Sequence, residues 1–356
     1  MSRRNRKRRA TGRRKKQEVA GRPAVNRNIQ RLLQASECQA GLQRDKAMES
    51  VSFPPQSSIA ICGGTHGNEM TGVYLVREMQ KHKVDKIGSV SISTVLSNPR
   101  AVDVCRRYTE TDLNRCFTDA LLSSPITDST PYEVRRAQEL NAQLGPKGSE
   151  KAVDMLIDLH NTTANMGLCL IFYTADYLPL QIFKYIQNKM SSVPVRAMQL
   201  DIPLSDAYSL DSLGKHSFSI EVGPQPNGVL RADIFNIVKE AVDHTIAWLQ
   251  EFNSGSTFEA GEVEAFTVVK SVDYPRDPVT GEISAAIHPQ LQDNDFKLLK
   301  PGDPIFLSFT GETVKHEGEE LYPLFVNECA YYEKKIAFHL AQKRTFKLPS
   351  IHMKKD

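Results

Sequence analysis

The 356-residue chain has no uninterrupted apolar run of the roughly 20 residues needed to cross a bilayer. It does not open on a short charged stretch followed by an apolar core, so no secretory leader is expected. Its six cysteines (Cys38, Cys62, Cys105, Cys116, Cys169 and Cys329) include no close pair. That scatter argues against a disulfide framework and suits reduced thiols in a cytosolic protein. No internal repeat is visible. Hydrophobic content of 40% and charged content of 24% are ordinary for a folded globular protein. The length allows two domains and a large core.

Charge is unevenly placed. Residues 1–50 carry 15 Lys/Arg against 4 Asp/Glu, a net +11, while the remaining residues sum to −8. Ten of the first sixteen residues are Lys or Arg, and Met1 is the only large apolar residue among them. Such a block repels itself and cannot bury a core, so residues 1–57 are expected to be a disordered basic tail. It reads either as a nuclear-targeting or polyanion-binding arm or as a solvated extension. Its Arg block lacks the apolar spacing of a mitochondrial presequence. The mildly acidic body is not expected to bind nucleic acid.

From Ser58 the pattern changes. Ile59–Cys62 is a short apolar strand leading into Gly63-Gly64, and residues 68–82 read as a helix with Val73, Val76 and Met79 on one stripe. Strands are expected at 90–96, 153–159, 168–173 and 218–222, and helices at 131–144, 179–189 and 230–252. This alternation predicts an α/β sheet flanked by helices. After about Phe258 the strand-like stretches 262–272, 283–287, 304–309 and 322–326 follow one another between Pro, Gly and Asp turns. The expected organisation is therefore a catalytic domain over 58–255, a smaller β-rich domain over 256–348 covering the active-site cleft, and a tail over 349–356.

Three strings carry the chemistry: Gly64-Thr65-His66-Gly67-Asn68-Glu69, Asp158-Leu159-His160-Asn161 and Ser219-Ile220-Glu221-Val222-Gly223. Two imidazoles and one carboxylate are what a catalytic zinc ion usually takes from a protein, leaving one position open. His66 and Glu69 share one side of a turn, and His160 follows a strand. All three can meet beyond strand ends, where ligands of open α/β sheets sit. Glu221 also ends a strand and suits a general base. Asp158, two residues before His160, is a candidate partner for a ligand imidazole. The run Cys105-Arg106-Arg107-Tyr108 and the Asp112-Leu113-Asn114-Arg115 string that follows it hold fixed-charge donors for an anionic substrate or a developing oxyanion. Asn161-Thr162-Thr163 matches a glycosylation acceptor but lies beside a candidate ligand, so it is read as unmodified.

Together with Glu221-Val222-Gly223-Pro224-Gln225-Pro226 and Tyr274-Pro275-Arg276-Asp277, these strings resemble the aspartoacylase family, zinc amidohydrolases with a zinc-carboxypeptidase-like fold. The resemblance runs from about Ile59 to Thr345. It implies one Zn2+ per subunit held by His66, Glu69 and His160, with Glu221 as general base and Arg107 polarising the scissile carbonyl. It implies Asn114 and Arg115 as the grip on the substrate α-carboxylate, and Tyr331 as a contact from the C-terminal domain. Where the N-acetylaspartate branch has an Arg ten residues before the base, this chain has Asp211, in a Tyr208-x-x-Asp211 arrangement. An Asp there would repel a substrate carboxylate. The resemblance therefore implies the branch that deacetylates N-acetylated aromatic amino acids and mercapturates. It further implies homo-oligomers in the cytoplasm with some apical-membrane association. The other readings are N-acetylaspartate hydrolysis, C-terminal carboxypeptidase action, and an idle binding protein that uses its basic arm.

Overall fold

A computed structural model describes residues 50–173, 176–203 and 206–355, so most of the basic segment lies outside the described residues. Two short strands and a helix start the body: β1 (Val51–Phe53), β2 (Ser58–Gly63) and α1 (Met70–Lys81). The expected stripe is real: α1 buries Val73, Leu75 and Val76, with Met79 packed at its margin. Then come β3 (Lys86–Ile87), β4 (Val90–Leu96) and the short helices α2 (Pro99–Asp103) and α3 (Asp119–Leu122). Helix α4 (Tyr132–Leu144) precedes β5 (Met155–Asn161), β6 (Gly167–Phe172), α5 (Tyr177–Lys189) and β7 (Val195–Gln199). Strand β8 (His216–Gly223) and the long α6 (Ala232–Asn253) complete the α/β part.

Strands β2 to β8 join β9 (Gly261–Val272), β13 (Tyr322–Leu324) and β14 (Phe338–Leu348) in one ten-stranded mixed sheet, ordered β13-β14-β9-β7-β6-β8-β5-β2-β4-β3. Strands β4, β2, β5 and β8 are parallel neighbours, so their carboxyl ends open on the same edge. Alternation divides the sheet into two faces. One face, with Ile59, Ile61, Ile157, Leu159, Leu170 and Ile220, packs on α1, α5 and α6. The opposite face, with Ala60, Cys62, Val95 and Leu156, packs on α4 and on Leu113, Phe117, Leu210 and Leu213. Further along β5 and β8, His160, Ser219 and Glu221 line the site.

The β-rich part contains β9 (Gly261–Val272), β10 (Ala285–Ile287), β11 (Pro304–Ser308), β12 (Thr313–Lys315), β13 (Tyr322–Leu324) and β14 (Phe338–Leu348). It is continuous with the large sheet, because β9 pairs in parallel with β7 through Met198↔Phe266 and Gln199↔Thr267. Strands β10–β12 form a separate three-stranded sheet over their own core, which includes Tyr274, Leu299, Phe306 and Phe338. Among the described residues no helix is long and apolar enough to cross a membrane.

Two boundaries need correction. The expected disordered tail does not reach residue 57, and the expected tail after 348 is not free. Strand β1 pairs in parallel with β15 (Ile351–Met353) through Val51↔Ile351 and Phe53↔Met353. The reason is apolar burial: Ile351 is fully buried in the main core, with Val51, Phe53 and Met353 packed against it. Removing that anchor is expected to loosen both chain ends. Ile351→Ala should lower stability by about 2–4 kcal/mol, read from the denaturant midpoint at unchanged slope. A loss near zero would mean that the pairing adds little to the fold.

Candidate functional site

Local backbone demands explain the Gly-rich string after β2. Gly64 adopts φ +69°, which suits a residue without a Cβ. Gly67 lies so close to Ala101 of α2 that a Cβ would stand 2.1 Å from its carbonyl carbon. The turn is thus pressed onto α2, and His66 projects from it while Glu69 occupies the N-cap position of α1, its carboxylate turned to other partners. On β5, the alternation that buries Leu159 against the helices turns Asp158 and His160 to the opposite face. Register places His160 opposite Glu221 and Asp158 opposite Ser219 on β8.

The side chains form a chain of alternating acids and imidazoles. Glu69 stands between the rings, 2.6 Å from His66 Nδ1 and 2.9 Å from His160 Nδ1. The two Nδ1 atoms are themselves 3.1 Å apart. Each far nitrogen meets another carboxylate: His66 Nε2 lies 3.1 Å from Asp112 and His160 Nε2 2.7 Å from Asp158. Thr65 donates its hydroxyl to Asp158, and the Asn161 amide N–H donates to Glu69. All five ionisable groups are buried. Burial raises the Glu69 carboxyl, but the two imidazoles outweigh it and hold the group well below its usual range. Among the described residues, His66, Glu69 and His160 are the group that could hold a metal ion.

Around this cluster lies a cavity of about 350 Å3, lined by all ten sequence-predicted site residues, including Glu221. The Glu221 carboxyl is raised well above its ordinary range by burial and by the charge of Glu69. Arg107 donates to Asp112 and, at 3.4 Å, to Glu69. Asn114 accepts the Leu210 amide N–H through its side-chain oxygen, and the Arg115 guanidinium lies 4.7 Å above the Tyr208 ring. Asp211 borders the cavity, but it is engaged by the Ser209 hydroxyl and by Ser219. Burial pushes the Asp211 carboxyl up to about 6. Tyr331 enters from the turn Cys329–Lys334 and packs on Phe325 and His339. Part of the cavity lining is apolar, with Ile171, Met198, Leu200, Val268 and Phe325.

Some contributors escaped the sequence reading. Asp112 stood in a quoted string but had no assigned partner. Glu328 accepts from Thr162 and Thr163 and so clamps the β-rich part onto the loop after β5. Lys334 lies 3.5 Å from Asp112. No local pattern marks Glu328 or Lys334; only the fold brings them to the site. Asp158 does meet an imidazole, as the two-residue spacing on a strand allows.

Residues 55–249 match the Succinylglutamate desuccinylase/Aspartoacylase catalytic domain, and residues 261–343 the AstE/AspA barrel-sandwich hybrid domain. The chain is 64% identical over 314 residues to an N-acyl-aromatic-L-amino acid amidohydrolase (carboxylate-forming) B of Danio rerio, covering 87% of this chain and 100% of that protein. It is 44% identical over 306 residues to Mus musculus aspartoacylase, covering 85% and 97%. The crystal structure of murine aminoacylase 3 superposes with a TM-score of 0.81 at 42% identity, covering 84% of this chain and 99% of that one.

If the outer carboxylates orient the imidazoles, Asp112→Asn and Asp158→Asn should each weaken divalent-cation affinity by about 10–100-fold. Competition against a chromophoric chelator measures this. Parental affinity in both variants would show that the imidazoles are oriented by something else.

Proposed function

Because the chain belongs to the succinylglutamate desuccinylase/aspartoacylase family, we propose that it is a zinc-dependent amidohydrolase acting on N-acylated aromatic amino acids. The observation that carries this reading is the convergence of two imidazole Nδ1 atoms and Glu69 in one cavity with Glu221 and a set of apolar lining residues.

The donor set fits zinc. Tetrahedral ligands at about 2.0–2.2 Å from an ion stand roughly 3.3 Å from one another. The closest donor atoms of these three residues are 2.6–3.1 Å apart, so the cluster needs to open by less than about 1 Å to meet that spacing. Charge agrees. Three buried carboxylates face two imidazoles, and protonating both rings would bring two N–H groups together across 3.1 Å. A dication exchanged for those two protons leaves the total charge unchanged. His66, Glu69 and His160 would hold the ion, which supplies a polarised carbonyl and an activated water.

The chain's own residues do the rest. Glu221 accepts the water's proton and passes it to the amide nitrogen as the C–N bond breaks. Its raised carboxyl suits a group that must carry a proton in mid-cycle. Arg107 donates to the carbonyl oxygen as negative charge grows there. The Arg115 fork and the Asn114 amide hold the α-carboxylate, and Tyr331 closes the site from the β-rich part. Ile171, Met198, Leu200 and Val268 receive an aromatic ring or the apolar tail of an N-acetylcysteine S-conjugate. Asp211 leaves a titratable acid where a substrate side-chain carboxylate would need a cation. The products are a carboxylate and a free amino acid. Homo-oligomeric assembly and a cytoplasmic location with some apical-membrane association complete the proposal. N-acetylaspartate is the second reading, favoured by the 44% identity to the murine aspartoacylase.

Glu221→Gln should keep zinc, read by elemental analysis, while losing about 10²–10⁴-fold in kcat. The parent's acid limb of kcat/KM should lie above the ordinary carboxylate range, because the base works only when deprotonated and its carboxyl is raised. Near-parental turnover in Glu221→Gln would remove this residue from the mechanism. In kcat/KM, N-acetyltyrosine should exceed N-acetylaspartate by more than about tenfold. The opposite preference would favour the second reading.

A further inference from the structure

Glu133 has no part in the steps above, yet its carboxylate accepts five hydrogen bonds. It lies in the first turn of α4 and is fully buried. A backbone loop surrounds it. One oxygen accepts the Thr109 amide N–H at 2.7 Å and the Thr109 hydroxyl at 2.6 Å; the other accepts the amide N–H groups of Glu110 and Thr111, each at 3.2 Å. Burial opposes its ionisation, but the Thr109 donors outweigh that and hold the group below its ordinary range. The contact is reciprocal, because Glu110 accepts the Tyr132 amide N–H at the start of α4.

The pinned segment has Arg107 at one end and Asp112 at the other. Arg107 faces Glu69, and Asp112 faces His66. A second path joins the same carboxylate to the His66 turn. The Asn98 side-chain amide donates to Glu133 at 3.4 Å, while the Asn98 amide N–H donates to the Gly64 carbonyl. Gly67, pressed onto α2, donates its N–H to the Arg107 carbonyl.

We infer that Glu133 is a positioning residue for the reaction: its carboxylate fixes the Thr109–Thr111 backbone, so that Arg107 meets the scissile carbonyl and Asp112 meets His66. The inference rests on the hydrolase reading above. It differs from a purely structural role in one respect: its effect must run through Arg107 and Asp112.

The test uses the full-length, zinc-loaded protein with N-acetyltyrosine. Glu133→Gln keeps the side-chain size but turns an NH2 toward backbone donors. A displacement on the order of 1 Å at Arg107 should lower kcat by about 10–100-fold with KM nearly unchanged. In an Arg107→Ala background the same change should cost clearly less, because one of its two targets is already gone. A normal kcat in folded Glu133→Gln, or an equal loss in both backgrounds, overturns the inference. Should Glu133→Gln not fold, Thr109→Val removes one hydroxyl donor and leaves the carboxylate in place. A smaller kcat loss, again reduced with Arg107→Ala, is then expected, and the same two outcomes overturn the inference. A wild-type protein inactive on N-acyl amino acids sinks the hydrolase reading instead. Chelator competition then decides: Glu133→Gln, or Thr109→Val in its place, should bind zinc several-fold more weakly through Asp112, and parental affinity overturns the positioning role.

Discussion

Glu69 between two imidazoles is the constraint from which the rest of the site follows. A buried carboxylate needs charged or hydrogen-bonded partners on every side. Here the rings supply them, and each ring in turn needs a partner for its far nitrogen. Asp158 and Asp112 fill those places, from a strand and from a loop. Arg107, Lys334 and Thr65 then satisfy the outer acids. Each layer exists because the layer inside it would otherwise be unpaired, so the polar network extends outward until it reaches the loops at the cavity rim.

That network needs a rigid frame, which the sheet provides. Strands β2, β5 and β8 are adjacent and parallel, so the ends of three strands deliver His66 and Glu69, His160, and Glu221 to one edge. Helix α4 packs on the sheet face that also carries His160 and Glu221. The β-rich part joins the sheet through the β7–β9 pairing and is fastened to the loop after β5 by Glu328. Tyr331 and Lys334, which line the cavity, belong to the turn that Glu328 begins. The β-rich part and the sheet are therefore one hydrogen-bonded body.

Much of this was legible in the sequence, for reasons that differ by element. Strand β2 and helix α1 show their period because each has one buried face, and the Gly-rich turn between them shows its backbone demand. The predicted site residues all reach the cavity because strand ends and helix starts fix where side chains emerge. Strand β14 was not visible: the Gln342–Thr345 stretch is polar and exposed throughout, so no apolar alternation marks it. Strand β7 was hidden by its brevity and by Arg196 at its second position. The β1–β15 pair was missed because both strands have three residues, and only their contact across the whole chain buries Ile351. Glu328 has its partners 165 and 166 residues away, a separation that no local pattern encodes.

The electrostatics of the cavity show how recognition can be divided between two walls. Arg107, Arg115 and Lys334 crowd together at the polar end, and Lys334 is lowered to about 8 by burial and by the two guanidinium groups. Like charges held this close destabilise one another in a site shielded from water. Asp112 offsets part of that repulsion, and an arriving carboxylate offsets more, so anion binding relieves a cost already present in the fold. Under the function proposed above, every substrate carries an α-carboxylate, so the cationic residues would not tell one substrate from another. Discrimination would fall to the apolar lining, where Ile171, Met198, Leu200 and Val268 offer no side-chain hydrogen-bond partner. A charged substrate side chain placed there would lose its hydration without replacement, whereas an aromatic ring would bury apolar surface. On that reading the cationic residues set the orientation common to all substrates, and the apolar lining sets which of them the site accepts.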